Sequence, residues 1–207
     1  KSITLGAVGM EEKEDGFHFY RFNPAEMDFY TKDGELNLHA VATSGIKFRF
    51  RTDSKSLFIS IHVTPAGTRQ YFAVDVFRDG KFLDDLRNYE ELDLMRKYTL
   101  QPFPCGNFEK EFDLGEGEKE IYVQMPWNMV TLLKEFRLDD GASILPVKPA
   151  RKILCYGDSI TAQDWPDELA LRCFKEGYHK TAIIRRATSG SRILREYSCL
   201  TYESYGL

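Results

Sequence analysis

Two different rhythms of apolar and polar residues run along this chain. "IKFRFRTD" alternates Ile46, Phe48 and Phe50 with Lys47, Arg49 and Arg51, the period-two mark of a strand with one buried and one solvated face. "SLFISIHV" follows at once, with Leu57, Ile59, Ile61 and Val63 on one face and Phe58, Ser60 and His62 on the other. In "YFAVDVFRDGKFLDDL" the pair Asp79-Gly80 separates two apolar runs, a hairpin signal because both residues tolerate positive φ. "NFEKEFDL", "KEIYVQMP" and "TLLKEFRLDDG" read as further strands, each bounded by Gly, Pro, Asn or Asp. "LGEGEKE" reads as a turn between strands, and "LDDLRNYEELDLMRK" as a solvated loop or short surface helix. Many short strands at regular spacing predict an almost wholly β first domain over residues 1–145, a jelly-roll-like β-sandwich.

The rhythm changes near residue 145. "SILPVKPARK" has two prolines and a basic flank, which suits a linker over 146–150. "ILCY" is a short continuous apolar run, as expected of a strand covered on both faces. "DWPDELALRCFKEGYHK" predicts a helix: Asp164 can cap it, Pro166 suits its first turn, Leu169, Cys173 and Phe174 share a face, and Gly177 can end it. "TAIIRRA" is a second strand, followed by the loop "TSGS". Strand, helix, strand is one right-handed βαβ unit, the opening of an α/β sheet. Residues 151–207 are too few to cover both faces of a doubly wound sheet, so the expectation is one whole domain and the incomplete start of a second.

Composition narrows the function classes. The 207 residues are 43% hydrophobic and 14% aromatic, enough for a sizeable core. Twenty-eight basic residues face 32 acidic ones, for a net charge of -4. No basic stripe interleaves with aromatics, which argues against a nucleic-acid partner. No apolar run reaches membrane-spanning length, so no membrane partner is expected. Cys105, Cys155, Cys173 and Cys199 form no C-x-x-C pair, and His18, His39, His62 and His179 are scattered, so no metal site is expected. Cys155 falls in a strand pattern, where a thiol acts as a small hydrophobe. Unpaired thiols favour a reducing, cytoplasmic compartment; the opening Lys1 leaves room for a removed leader and a secreted protein.

The candidate chemistry sits where the apolar run of "KILCYGDSITAQ" meets Gly157, Asp158 and Ser159. In open parallel sheets ligands gather at the carboxyl ends of strands. Ser159 lies just past one predicted strand and Gly190 just past the other. A serine nucleophile needs a base for its proton and donors aimed at the developing oxyanion. A glycine lets its amide approach the substrate oxygen closely, while Asp158 can brace the turn by accepting backbone N–H bonds. The plainer account of Ser159 is a turn or helix-capping hydroxyl.

"YGDSIT", Tyr156 to Thr161, resembles the first sequence block of the SGNH, or GDSL, hydrolases, and "RRATSGSRIL" resembles their second. "ATSGIKFRFRTDS" and "PWNMVTLLKEFRLDDGASILPV" resemble the β-sandwich ahead of the catalytic domain in a bacterial subgroup similar to carbohydrate esterase family two. The resemblance implies a flavodoxin-like hydrolase domain and a serine esterase acting on small-molecule or carbohydrate esters without a cofactor. Ser159 would be the nucleophile, with its own N–H and that of Gly190 as oxyanion donors, supported by Gly157 and Asp158. The family's asparagine block is absent, and so is its late D-x-x-H block with the base and orienting acid. The one literal match, "DGFH" at Asp15 to His18, reads as coincidence, with His18 a strand residue. His179 reads as a loop histidine. The chain by itself is therefore expected to hydrolyse esters poorly or not at all, which general-base catalysis of about 10²–10⁴-fold makes concrete.

Two rival readings belong to another class. The sandwich could be a non-catalytic carbohydrate-binding module using Trp127, Tyr71 and Tyr89, although "MPWNMV" is apolar enough to bury its ring. It could also be a scaffold that packs on the hydrolase domain and shapes its substrate cleft.

Overall fold

The alternation in "SLFISIHV" becomes strand β5, Ser56–Pro65, and its four aliphatic side chains Leu57, Ile59, Ile61 and Val63 are fully buried. The computed structural model describes residues 2–32, 38–66, 70–90, 103–157, 165–176 and 181–187. Around β5 an antiparallel sheet forms in the order β2 (Gly9–Lys13), β3 (Gly16–Tyr20), β10 (Met129–Leu138), β5, β8 (Gly106–Asp113). A second sheet runs β1 (Thr4–Leu5), β4 (Lys47–Thr52), β9 (Lys119–Gln124), β6 (Ala73–Arg78), β7 (Lys81–Arg87). The short β11, Leu145–Pro146, also pairs with β4, opposite Arg51 and Phe50.

The two sheets share one core. The inward row of β5 meets Phe48, Phe50, Ile121, Val123, Val74 and Val76 of the β4–β9–β6 sheet. Phe50 packs edge-on against Phe136 of β10, with ring centroids 5.7 Å apart, which joins the layers face to face. The hairpin between β6 and β7 turns at Asp79 (φ 48°) and Gly80 (φ 78°), the left-handed pair that a two-residue turn requires. The stretch from Leu114 to Glu118 is the turn between β8 and β9 that the sequence suggested.

Three local expectations are corrected. Residues 1–145 read as β-structure almost throughout, yet Pro24–Tyr30 is a helix, α1. A reciprocal capping box starts it: Glu26 N–H donates to Asn23 Oδ1 and Asn23 N–H to Glu26 Oε2, both at 2.9 Å. Next, Leu83–Arg87 of "LDDLRNYEELDLMRK" is strand rather than loop or helix, because it pairs with β6; residues 91–97 of it lie outside the described residues. Finally, β4 does not have one solvated face. Lys47 is 1% exposed and Arg49 4%, and only Arg51 reaches solvent. Strands flank β4 on both edges, and Arg49 Nε lies 2.6 Å from Glu120 Oε1 on β9. The charge that normally holds an arginine at the surface is thus satisfied inside.

At the far end of the β5–β10 pair, Asp139 closes the ladder. Its carboxylate accepts from Lys55 N–H at 2.6 Å, Ser56 N–H at 3.2 Å and the Ser56 hydroxyl at 2.5 Å. These donors hold its pKa well below the ordinary aspartate value, at about 2. A depressed carboxylate pKa stabilises the fold above its unfolded value, and that contribution is lost as the pH falls through the folded value. Asp139→Asn is therefore expected to lower the Tm at neutral pH, with the gap to the unaltered chain closing between about pH 4 and pH 2. A gap that stays constant over that range, in melts followed by circular dichroism, contradicts this.

Candidate functional site

The run "KILCYG" forms β12, Arg151–Gly157, and "TAIIRRA" forms β13, Thr181–Ala187. They pair in parallel and in register, from Arg151 opposite Thr181 to Gly157 opposite Ala187. Between them α2, Trp165–Lys175, carries the chain back across the sheet and packs on β13. Pro166 stands in its first turn, where the missing N–H costs no bond. Asp164 and Gly177, the predicted cap and stop, lie outside the described residues. The strand-helix-strand unit expected from the sequence is thus present. Cys155 and Gly157 are buried, but Ile153 is 45% exposed, so β12 is not covered on both faces among the described residues. Among the described residues one helix packs on this pair of strands, and one helix covers one face.

The register fixes the geometry of the rim. Gly157 and Ala187 are partners at the carboxyl ends of their strands. Ser159 follows Gly157 by two residues and Gly190 follows Ala187 by three. Asp158, Ser159, Gly190 and His179 themselves lie outside the described residues. Because α2 leaves from the carboxyl end of β12 to reach the amino end of β13, its first turn starts on that same edge.

A cavity of about 420 Å³ lies between the outer face of the β9–β6–β7 sheet and the starting half of α2. Tyr71, Tyr89 and Trp127 all line it, with Phe82 at its mouth and Glu168 and Leu171 on the helix wall. Tyr71 and Tyr89 meet edge-on at 6.3 Å. Phe82, 55% exposed, stands against Phe77 at 5.7 Å. Tyr71 itself is 8% exposed, so the core reading fits its ring, while Tyr89 and Trp127 are half-buried.

Side-chain bonds to the backbone hold the walls. The Thr43 hydroxyl donates to the Pro126 carbonyl at 2.8 Å, and that of Ser44 to the carbonyl of Trp127. Asn128 Nδ2 donates to the Tyr71 carbonyl at 2.9 Å. Asn88 accepts from Phe72 N–H at 2.9 Å and donates to the Gln70 carbonyl at 2.8 Å. On the floor, Asp75 and Gln124 are cross-strand partners. Gln124 Oε1 is shielded from solvent and accepts no hydrogen bond among the described residues. Burial, helped by the Asp85 and Asp75 carboxylates, pushes the Tyr89 phenol up, so its hydroxyl keeps its proton.

An acid–histidine pair also exists, far from the order the sequence reading required. His18 Nε2 lies 2.9 Å from Asp15 Oδ1 at the β2–β3 hairpin, and His18 is a residue of β3 as expected. Both side chains are partly solvent-exposed, and the bond holds the Asp15 carboxyl below its ordinary range. Among the described residues no cluster of three or more His, Cys, Asp or Glu side chains could hold a metal, and no helix is long and apolar enough to cross a membrane.

Solved structures show what this arrangement resembles. A salicylyl-acyltransferase, SsfX3, from a tetracycline biosynthetic pathway superposes with a TM-score of 0.65 at 21% identity, over 91% of this chain and 52% of its own. A GDSL-like lipase from Bacteroides ovatus gives 0.60 at 17% identity, over 91% and 54%. A family two carbohydrate esterase from Clostridium thermocellum, solved with cellohexaose, gives 0.51 at 12% identity, over 90% and 51%. The chain has the fold of SGNH/GDSL-like hydrolases and family two carbohydrate esterases. It spans about half the length of these structures. No protein-family model matches the sequence, and no curated protein does.

Proposed function

We propose that this chain carries the nucleophile end of a serine acylhydrolase of SGNH type, with a sandwich over 1–145, a linker over 146–150 and the start of the hydrolase domain from 151. One observation supports it above the others: Gly157 and Ala187 are register partners in a parallel pair. With consecutive Cα atoms about 3.8 Å apart, Ser159 and Gly190 can stray only a few residues' length from one shared rim.

In this reading Ser159 Oγ attacks the acyl carbon and its proton leaves to a base. The N–H groups of Ser159 and Gly190 hold the negative oxygen of the tetrahedral intermediate. The acyl carbon's bond to the alcohol oxygen breaks, that oxygen takes the proton, and an acyl group remains on Ser159. Water then releases it as the acid. Gly157 admits the close turn and Asp158 braces it. The mechanism requires no organic cofactor and no metal. The substrate is proposed to be an ester of a carbohydrate, a reading favoured by the likeness to an esterase solved with cellohexaose. Ester hydrolysis by the longest natural protein that carries this chain, lost in Ser159→Ala, is the test.

A second reading, a non-catalytic carbohydrate-binding or scaffolding sandwich, is favoured by the meeting of Tyr71, Tyr89 and Trp127 at one cavity. Hydrolysis indifferent to Ser159 selects it.

A further inference from the structure

The cavity under α2 has a one-sided chemistry. Among the described residues its lining includes two carboxylates, Asp75 and Glu168, and no Lys, Arg or His. Asp85, opposite Asp75 in the β6–β7 pair, is paired with Arg87 at 3.3 Å, and that guanidinium lies 5.3 Å from the centroid of the Tyr89 ring, behind the lining. An anionic group brought against the Asp75 or Glu168 carboxylate itself would be repelled. A neutral ligand with several hydroxyl donors would meet acceptors at Asp75, Glu168 and Gln124 Oε1, which takes no donor among the described residues. The terminal torsion of a glutamine amide is soft, so a ligand hydroxyl can draw that oxygen toward it. Trp127, Tyr89 and Phe82 supply the flat apolar surfaces on which the C–H faces of a ring can lie. At about 420 Å³ the cavity is of small-molecule size. Its loops are already tied in place by Thr43, Ser44, Asn88 and Asn128, which lowers the entropy lost on binding.

Position adds a second constraint. Glu168 is in the first turn of α2 and Leu171 in the next, about 9 Å along the axis from Trp165 at most. The cavity therefore flanks the carboxyl edge of the β12–β13 pair. We propose that it binds a neutral pyranoside ring, the alcohol half of the ester whose acyl carbon meets Ser159. The subsite role rests on the hydrolase reading; the binding of the sugar does not.

Trp127 and Trp165 are the two tryptophans of the chain, so a Trp165→Phe variant leaves an indole in the cavity wall as reporter. This variant is titrated with methyl β-D-xylopyranoside, cellobiose and, as the charged counterpart, glucuronate, with calorimetry on the unaltered chain beside it. The expected result is a saturable shift in emission and a binding isotherm with a neutral sugar, and neither with glucuronate. Asp75→Asn should weaken the neutral sugar about tenfold and admit glucuronate. Phe82→Ala, at an exposed position where folding is not at stake, should weaken it about threefold or more. No saturable binding of either neutral sugar by calorimetry, or glucuronate binding as tightly as they do, overturns the proposal. Ser159-dependent hydrolysis without sugar binding rejects this subsite and leaves the esterase standing. Sugar binding with hydrolysis indifferent to Ser159 keeps the sugar site and rejects the catalytic reading.

Discussion

Glu120→Ala is expected to cost about 3–5 kcal/mol of folding stability, because it removes the carboxylate that pairs with a buried guanidinium. Arg49 is 4% exposed and its Nε lies 2.6 Å from Glu120 Oε1. Arg51 approaches the other oxygen only at 3.9 Å and sits largely in solvent, so it loses little when the carboxylate goes. A domain of this size has roughly 5–15 kcal/mol in all, so the variant should melt far earlier. The companion variant separates the charge from the packing. Arg49→Met combined with Glu120→Leu removes both charges at similar volume and should recover most of the loss, since well-packed apolar substitutes for a buried ion pair are often neutral. Urea unfolding of the three proteins reads both effects. A loss below about 1 kcal/mol in Glu120→Ala is what a solvated pair gives, and it would contradict the buried assignment.

That pair also shows where the sequence stopped being informative. The apolar half of each alternation was legible: Leu57, Ile59, Ile61 and Val63 all reach the core, and Asp79-Gly80 makes its turn. The polar half was not. Lys47 and Arg49 look like a solvent face because nothing local in "IKFRFRTD" reveals that Glu120, some seventy positions on, will supply a counter-charge. Helix α1 was legible in principle, since Asn23, Pro24 and Glu26 spell a capping box, but its seven residues contain too little apolar period to compete with the strands around them.

The candidate site divides in the same way. Strand, helix and strand could be read from 151 to 187 because each element is set by its own residues, and the two strands pair in parallel as a strand-helix-strand unit requires. Each of Tyr71, Tyr89 and Trp127 could be singled out as an aromatic, but their convergence could not. One precedes β6, one follows β7 and one lies between β9 and β10, so only the register of the β9–β6–β7 sheet brings them to a common cavity. The acceptors Asp75 and Gln124 became candidates only through that register.

Loss of Ser159 is expected to have the larger effect on function. A serine nucleophile and its base act as a unit, so Ser159→Ala should reduce ester hydrolysis by about a thousandfold or more while leaving the melting temperature nearly unchanged. Substitution of Gly190 by a bulkier residue is not an equal test, since it alters backbone as well as side chain. The direct measurement is made on the longest natural protein that carries this chain. It is incubated briefly with p-nitrophenyl acetate, quenched in acid and digested, and the peptides are weighed. The account predicts an acetyl group on the peptide bearing Ser159, absent in Ser159→Ala together with turnover. Full turnover in Ser159→Ala, or acetyl carried on another residue while Ser159 stays bare, would contradict it.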